Sequence, residues 1–448
     1  MIAKIKEKLT YYQMIAIAYV FIIAIGTFLL AMPISSNSGT FTSFIDSLFT
    51  ATSATCVTGL VVFDTYTHWS IFGQIVILIL IQIGGIGFMT IMTRIAIFLR
   101  GQLSLTQKTL FAQSTGNIGI GGTPKLIKQV VVGTLAFEGA GALLLCTSFI
   151  PAFGWGKGIY YSIFHSVSAF CNAGFDLMGV YGEFSSLTAF VDDPIVVITI
   201  VALIIIGGLG FLVWSDLLNC KCKWKSLTLH SKVVLGATAC LVVIPFLLLM
   251  IFEYNSSMAD LSFGGKILAS LFQAVTPRTA GFNTVNMLEM SESGRLLMIV
   301  LMFIGGNSGS TAGGIKTTTF VVILLAVIAC IKRKDSITVS KRRLENGVVL
   351  QATAIVVTYL AAIVCGCLLI SFMQQDFSMS AVLFEVTSAL GTVGLTLGIT
   401  PLLNVGSQLV IIFLMYAGRV GFLSLVMIFA RKKVNVPLSR PVGKIIIG

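Results

Sequence analysis

Four short stretches of this chain share one plan: Thr55-Cys56-Val57-Thr58-Gly59, Phe170-Cys171-Asn172-Ala173-Gly174, Pro277-Arg278-Thr279-Ala280-Gly281 and Leu390-Gly391-Thr392-Val393-Gly394. Each follows an amphipathic segment, precedes a long apolar run and closes on a glycine. The final glycines lie 115, 107 and 113 positions apart. Four like units, each too small to enclose anything alone, imply a fourfold arrangement around one axis. Glycine allows backbone conformations that other residues resist. Four such segments therefore suit an axis at which carbonyl oxygens replace the water shell of a cation. Glycines that merely turned the chain would not need four copies in register.

A second polar stretch interrupts an apolar run. Residues 305–319 read Gly-Gly-Asn-Ser-Gly-Ser-Thr-Ala-Gly-Gly-Ile-Lys-Thr-Thr-Thr. They split the run 296–331 into halves of about nine and twelve residues, against the roughly 20 that a membrane helix needs. Gly309, Gly314 and Lys316 nearly fit a phosphate-binding loop, but Ile315 intervenes and no strand surrounds them, which argues against nucleotide binding. Arg419 falls among apolar residues in mid-helix, where a charge is expensive and usually marks an ion path. The bland reading of Arg419 is a structural residue that satisfies loop carbonyls. Three well-separated histidines and no paired intramembrane carboxylates leave no acid–base pair, so an enzyme is not expected.

Composition sets the environment in which these residues sit. The chain has 448 residues, 56% hydrophobic and 10% charged, with a mean hydropathy of +0.99, which excludes an ordinary soluble protein. Apolar runs long enough to span occur at about 11–33, 70–99, 129–151, 194–219, 232–252, 348–373 and 406–430, with the interrupted run as an eighth. The first run is full length and lacks a small-residue cleavage site, so no cleavable signal peptide is expected. Of 29 Lys and Arg residues, 23 fall in five clusters: Lys4–Lys8, Arg94–Lys128, Lys221–Lys232, Lys332–Arg343 and Arg431–Lys444. These alternate with connections carrying Asp46, Asp64, Asp192, Asp193, Asp260, Glu289 and Asp376. The alternation places both termini and every basic connection in the cytoplasm. The net charge of +12 is then mainly a topology signal, with anionic lipid or a cytosolic partner as secondary readings and no nucleic acid. Cys146, Cys240, Cys330, Cys365 and Cys367 read as small apolar residues, and Cys220 and Cys222 lack a second metal-ligand pair. Cys56 and Cys171, at equivalent places, suggest tight packing.

Each unit reads as a helix, a short re-entrant helix, a polar loop and a second helix. The re-entrant helices fall at about 41–54, 156–169, 263–275 and 378–389, too short to span but suited to a half-membrane helix buried in protein. The second helices carry Gly84-Gly85-Ile86-Gly87-Phe88, Gly207-Gly208-Leu209-Gly210-Phe211, Gly305-Gly306-Asn307-Ser308-Gly309 and Ala417-Gly418-Arg419-Val420-Gly421-Phe422. Close helix packing explains the first two; the third and fourth depart from it. Ser104-Leu105-Thr106, Ser226-Leu227-Thr228 and Ile337-Thr338-Val339-Ser340 each precede a lysine and a new helix, as caps do. The expected fold is an all-α integral membrane protein of four tandem helix–pore-loop–helix repeats: 1–110, 111–226, 227–340 with a broken second helix, and 341–448 with a C-terminal tail.

Four fused units, one glycine per loop, a broken helix in the third and an arginine in the last helix resemble the Trk/Ktr/HKT superfamily of potassium transporters. Eight spans without an extra N-terminal pair make the chain most similar to the membrane subunit of the Ktr branch, over nearly its whole length. By that resemblance Val57, Thr58, Gly59, Asn172, Ala173, Gly174, Thr279, Ala280, Gly281, Thr392, Val393 and Gly394 form a selectivity filter with potassium at its carbonyls. Only the last glycine is common to all four loops, which implies fewer stacked carbonyl rings and looser selectivity than in a tetrameric potassium channel. Glycine rather than serine at position 59 points to potassium over sodium, with a less selective sodium/potassium transporter as the alternative. Gly305, Gly306, Asn307, Ser308, Gly309, Ser310, Thr311, Ala312, Gly313 and Gly314 become an intramembrane gating loop, opposed by Arg419 as an electrostatic barrier. Lys316 is either a second pore charge or faces the cytoplasmic cavity. Arg278 is expected to tie down the filter backbone, Glu138 to hydrogen-bond between helices, and His165 to be a packed residue rather than a ligand. Asp176 is an outer cation attractant or a solvated loop acid. The resemblance also implies a bacterial cell membrane, a homodimer, and a cytosolic ring of nucleotide-binding, KtrA-like regulatory subunits. It implies no covalently bound cofactor; potassium is cargo, and sodium is a candidate activator or symported ion. A voltage-gated channel lacks its arginine-bearing helix here, and an inverted-repeat transporter does not fit four repeats of one orientation.

Overall fold

In the first repeat, helices α1 (Tyr11–Ala31), α2 (Phe44–Cys56) and α3 (Ile71–Ile86) follow in order, and the second repeat supplies α4 (Thr123–Phe153), α5 (Trp155–Cys171), α6 (Pro194–Leu209) and α7 (Phe211–Asn219). The third contains α8 (Leu229–Phe252), α9 (Phe263–Val275), α10 (Glu292–Phe303) and α11 (Thr317–Ile331); the fourth contains α12 (Asn346–Met373), α13 (Met379–Gly391) and α14 (Val405–Val420). This computed structural model describes residues 11–87, 123–221, 223–334, 336–339, 342–344 and 346–421. The basic clusters Lys4–Lys8 and Arg431–Lys444, Arg94 to Lys108, Cys222, the cap at Ser104 and the runs 88–99 and 422–430 lie outside the described residues. Strands among the described residues are two-residue pieces, Thr338–Val339 and Arg342–Arg343, paired antiparallel between the third and fourth repeats. Thr338 and Val339 are therefore strand residues, not the expected helix cap. Thr228 is a cap, accepting from Ser231 N at 3.3 Å.

Four helices among the described residues are long and apolar enough to cross a membrane unbroken, and they are the opening helices α1, α4, α8 and α12. The second helices differ from the continuous spans expected at 70–99, 194–219 and 406–430. Helix α3 stops at Gly87, the chain bends 91° between α6 and α7 at Gly210, and α14 stops at Gly421. These three glycines have φ of 86°, 97° and 92°, a left-handed conformation that ends an α-helix and that glycine adopts without a Cβ penalty. Among the described residues, every second helix thus ends before it is long enough to span. The third repeat has a loop from Ile304 to Lys316 where the second has the single glycine Gly210.

Each opening helix packs on the short helix of its own repeat: α1 on α2, α4 on α5, α8 on α9 and α12 on α13. Each second helix packs on the short helix of the next repeat, α3 on α5, α6 on α9, α10 on α13, and α14 returns to α2. That last contact closes the four repeats into a ring. All four second helices are N-capped by a side chain, from Ser70, Asp193, Ser291 and Asn404, which satisfies backbone donors that would otherwise be orphaned.

Candidate functional site

The short helices α2, α5 and α13 each end two residues later than expected, leaving three irregular residues that close on the glycine. The residue two before each glycine is left-handed without being glycine: Val57, Asn172, Thr279 and Thr392, at φ of 58°, 59°, 71° and 52°. Three of these are β-branched, for which such backbone is strained and persists only where the surroundings hold it. The hold comes from the last turn of each short helix. Thr58 N, Ala173 N and Val393 N donate at 2.8 Å to the carbonyls of Ser53, Ser168 and Ser388, and Ala280 N donates at 2.9 Å to that of Thr276. The hydroxyls of the same four residues act again. Ser53 and Ser388 accept from Gly59 N and Gly394 N at 3.1 Å, while Ser168 and Thr276 donate to Phe175 O and Phe282 O at 2.6 and 2.5 Å. A hydroxyl residue six positions before three of the glycines, and five before Gly281, is a signal that was present in the sequence and missed.

The glycines meet at their backbones. A Cβ on Gly59 would lie 2.5 Å from the Ala173 carbonyl oxygen, and one on Gly174 would lie 2.7 Å from that of Ala280. On Gly281 it would strike Val393 O, and on Gly394 it would strike Thr58 O. Every glycine abuts the carbonyl preceding the next one, and the fourth abuts the first. At φ of 93°, 72°, 84° and 94°, the ring demands glycine twice, for conformation and for room. On one side of it opens a cavity of about 490 Å³ lined by all four glycines together with Asp64, Asp176 and Glu183.

The loop 304–316 packs beside the residues that precede the glycines in the second and fourth repeats, and the Arg419 side chain links it to the first. Asn307 N and its Nδ2 donate to Gly208 O at 3.1 and 2.9 Å, and Phe211 N donates to Gly309 O at 2.7 Å. Thr311 Oγ1 donates to Phe170 O at 3.2 Å, at the end of α5. A Cβ on Gly314 would lie 2.9 Å from Gly391 O, and one on Gly313 would collide with the Thr392 side chain. Arg419 donates to Thr311 O of the loop and to Gly84 O of α3, with Gly85 O at 3.5 Å. The guanidinium is therefore a tether between first repeat, fourth repeat and loop, the reading that had been the bland one. Lys316 Nζ folds back on Ala312 O at 2.7 Å and Gly313 O at 3.4 Å, so it braces its own loop.

Residues 7–436 match the TrkH family, described as cation transport protein. The chain belongs to the TrkH family. It is 39% identical over 438 residues to Ktr system potassium uptake protein B of Bacillus subtilis, covering 97% of this chain and 96% of the relative. It is equally 39% identical over 427 residues to potassium/sodium uptake protein NtpJ of Enterococcus hirae, covering 94% and 93%. The solved potassium transporter TrkH from Vibrio parahaemolyticus has the same fold at a TM-score of 0.75 and 19% identity, covering 95% of this chain and 86% of that one. As a TrkH-family protein the chain is a multi-pass membrane cation transporter and not an enzyme.

The small residues of the second helices pack as expected, and the fourth repeat joins the first two. Cβ atoms on Gly84, Gly207 and Gly418 would strike Thr55 O, Phe170 O and Leu390 O, equivalent carbonyls at the ends of three short helices. Only Arg419 sets the fourth copy apart. Glu138 is buried and accepts from Gln82 Nε2 at 3.0 and 3.1 Å, an interhelical bond as expected. Cys171 Sγ lies 3.8 Å from the same carboxylate, and both Cys171 and Cys56 are fully buried. Asp176 lines the cavity and accepts from Met178 N at 2.9 Å. Asp64 accepts from Tyr66 N, Thr67 N and, across the repeat boundary, Phe184 N at 3.1 Å.

His165 does more than pack. Its Nδ1 lies 2.7 Å from Tyr161 O and its Nε2 accepts from Leu177 N at 3.3 Å, so the Nδ1-protonated tautomer pins the limb that climbs from Gly174. Glu385 holds the equivalent place in α13 and was overlooked in the sequence. Fully buried, it accepts from Thr400 Oγ1 at 2.5 Å and Thr396 Oγ1 at 2.7 Å. Glu385→Ala is expected to remove the carboxylate acceptor of both hydroxyls, leaving them with their mutual contact at 3.0 Å, and to destabilise the protein by about 1–3 kcal/mol. A drop in apparent melting temperature in detergent, largely restored in Glu385→Gln, is the expected result; an unchanged Glu385→Ala midpoint would remove this role.

Proposed function

We propose that this chain carries potassium into the cell as the ion-translocating subunit of a Ktr-type uptake system. The observation that carries the reading is the closed glycine ring, in which each glycine abuts a backbone carbonyl of the next segment and leaves no room for a Cβ. Residues 57–59, 172–174, 279–281 and 392–394 are assigned as the filter, and their carbonyls as the replacement for the potassium hydration shell. Residues 305–314, Lys316 and Arg419 are assigned as the gate, because the loop packs against Gly391 and Thr392 just before the fourth glycine, bonds the second repeat, and is linked by Arg419 to the first. Repeat boundaries are proposed at 110/111, 226/227 and 340/341.

The relatives' names support potassium uptake and a multi-component system. A homodimer, a cytosolic nucleotide-binding ring on the basic face, and both termini in the cytoplasm complete the proposal. Sodium enters as an activator or coupled ion. A less selective sodium/potassium transporter is the second reading, favoured by the name of the Enterococcus relative. Expression of the chain with a matched partner is expected to restore growth at low potassium in bacteria lacking their own uptake systems. Absence of rescue despite verified membrane insertion would overturn the reading, and rescue accompanied by equal sodium uptake would favour the second one.

A further inference from the structure

We propose that Thr238 is a positioning residue that couples the loop 304–316 to the glycine ring, so that ion discrimination depends on where the loop sits. The proposal rests on the filter and gate assignments above. Thr238, on α8, presents Oγ1 at 3.4 Å from Arg278 Nη2 and at 3.4 Å from Asn307 Nδ2. One hydroxyl thus accepts from the third filter segment and from the loop beneath it. All three residues are buried, at 6%, 5% and 0% exposure, so water does not compete for these bonds.

From Arg278 the connection enters the ring. Asn172 Nδ2 donates at 3.3 Å to Arg278 O and lies 3.3 Å from Thr279 Oγ1, which joins the second and third segments. The positions equivalent to Arg278 in the other segments are Cys56, Cys171 and Gly391, none of which has the reach to make such a link. The cluster also holds one unused donor, Arg278 Nε, and two unused acceptors, Asn172 Oδ1 and Asn307 Oδ1, all buried without protein partners. A group left unsatisfied in this arrangement gains by adopting another, so a second position of the loop is chemically available. When Asn307 withdraws, the Thr238 hydroxyl is left to Arg278 alone, and the backbone beside Thr279 responds.

The test uses the full-length chain reconstituted in liposomes, with rubidium tracer flux and its competition by sodium as paired readouts. Thr238→Val removes the hydroxyl at nearly constant volume and is expected to increase sodium competition about fivefold, the scale of a coupling between linked sites. Thr238→Ser should return competition toward wild type. Asn307→Ala, placed in the loop and not in the ring, should shift competition in the same direction. The double variant should then show no more than the Asn307→Ala effect, because that change removes the Thr238 contact together with the bond to Gly208 O. If Thr238→Val fails to insert, Thr238→Ala carries the same test, since Asn307→Ala alone also removes the bond to Gly208 O. Changes in flux without a change in sodium competition, or strictly additive shifts, would overturn the coupling. Gly281→Ser separates the two levels of inference: if it shifts competition and Thr238→Val and Asn307→Ala do not, the coupling fails alone. If Gly281→Ser itself has no effect, the filter assignment fails.

Discussion

Gly281→Ser is expected to lower the preference for potassium over sodium on the order of tenfold, the factor that about 1.4 kcal/mol of lost binding difference produces. Gly281 sits at φ 84°, and a Cβ there would strike Val393 O while lying 3.2 Å from the Cα atoms of both Gly174 and Gly394. A serine therefore disturbs two neighbours at once, and the carbonyls proposed to replace the ion's hydration shell cannot keep their spacing. Gly59→Ser should act similarly, since its Cβ would lie 2.5 Å from Ala173 O and 3.2 Å from Gly174 Cα. Gly39 provides the control. It too has positive φ, 67°, but nothing lies within 4 Å of a Cβ added to it. Gly39→Ser thus imposes backbone strain without crowding a ring, and should leave ion preference alone. Tracer uptake measured against both cations at matched membrane expression decides the matter. An unchanged preference in Gly281→Ser would remove these glycines from the ion path.

The four-repeat plan was legible because its signals are local. Glycine spacing, half-length apolar helices and full-length opening helices are each read from a short window, and α9 begins and ends where expected. The breaks at Gly87, Gly210 and Gly421 were misread because a single glycine inside a long apolar run is also compatible with close packing. In repeats one and two the same short motif does both: Gly84 and Gly207 admit a carbonyl, and Gly87 and Gly210 end the helix. The left-handed Val57, Thr279 and Thr392 were beyond reach for a different reason. Their conformation is imposed by the helix end behind them and the ring in front, against their own preference. Long-range partners were equally hidden: nothing near Arg419 in sequence announces Thr311 or Gly84, 108 and 335 positions away.

Arg419→Ala is expected to raise cation flux and to weaken its dependence on a cytosolic partner. The guanidinium joins Thr311 O, in the loop, to Gly84 O and Gly85 O on the opposite helix, so it holds the loop beneath the ring. Hydrogen bonds from a charged donor contribute about 1.5–3 kcal/mol. Losing that much shifts a closed-to-open ratio by roughly tenfold to a hundredfold. On the proposed assignment the substitution also removes a positive charge from the passage, where a cation at 4 Å would feel a repulsion of about 4 kcal/mol at an effective dielectric near 20. Both effects act in one direction. Arg419→Lys separates them, because lysine keeps the charge but lacks the planar fork that reaches several carbonyls at once; flux between wild type and Arg419→Ala is expected. Shortening the loop between Gly306 and Gly314 should raise flux without touching Arg419, since the polar plug itself is reduced. If both changes left flux and partner dependence as they are in correctly inserted protein, the gate would lie elsewhere. A fall in flux from Arg419→Ala, with the fold intact, would mean that the tether supports the conducting arrangement rather than the closed one.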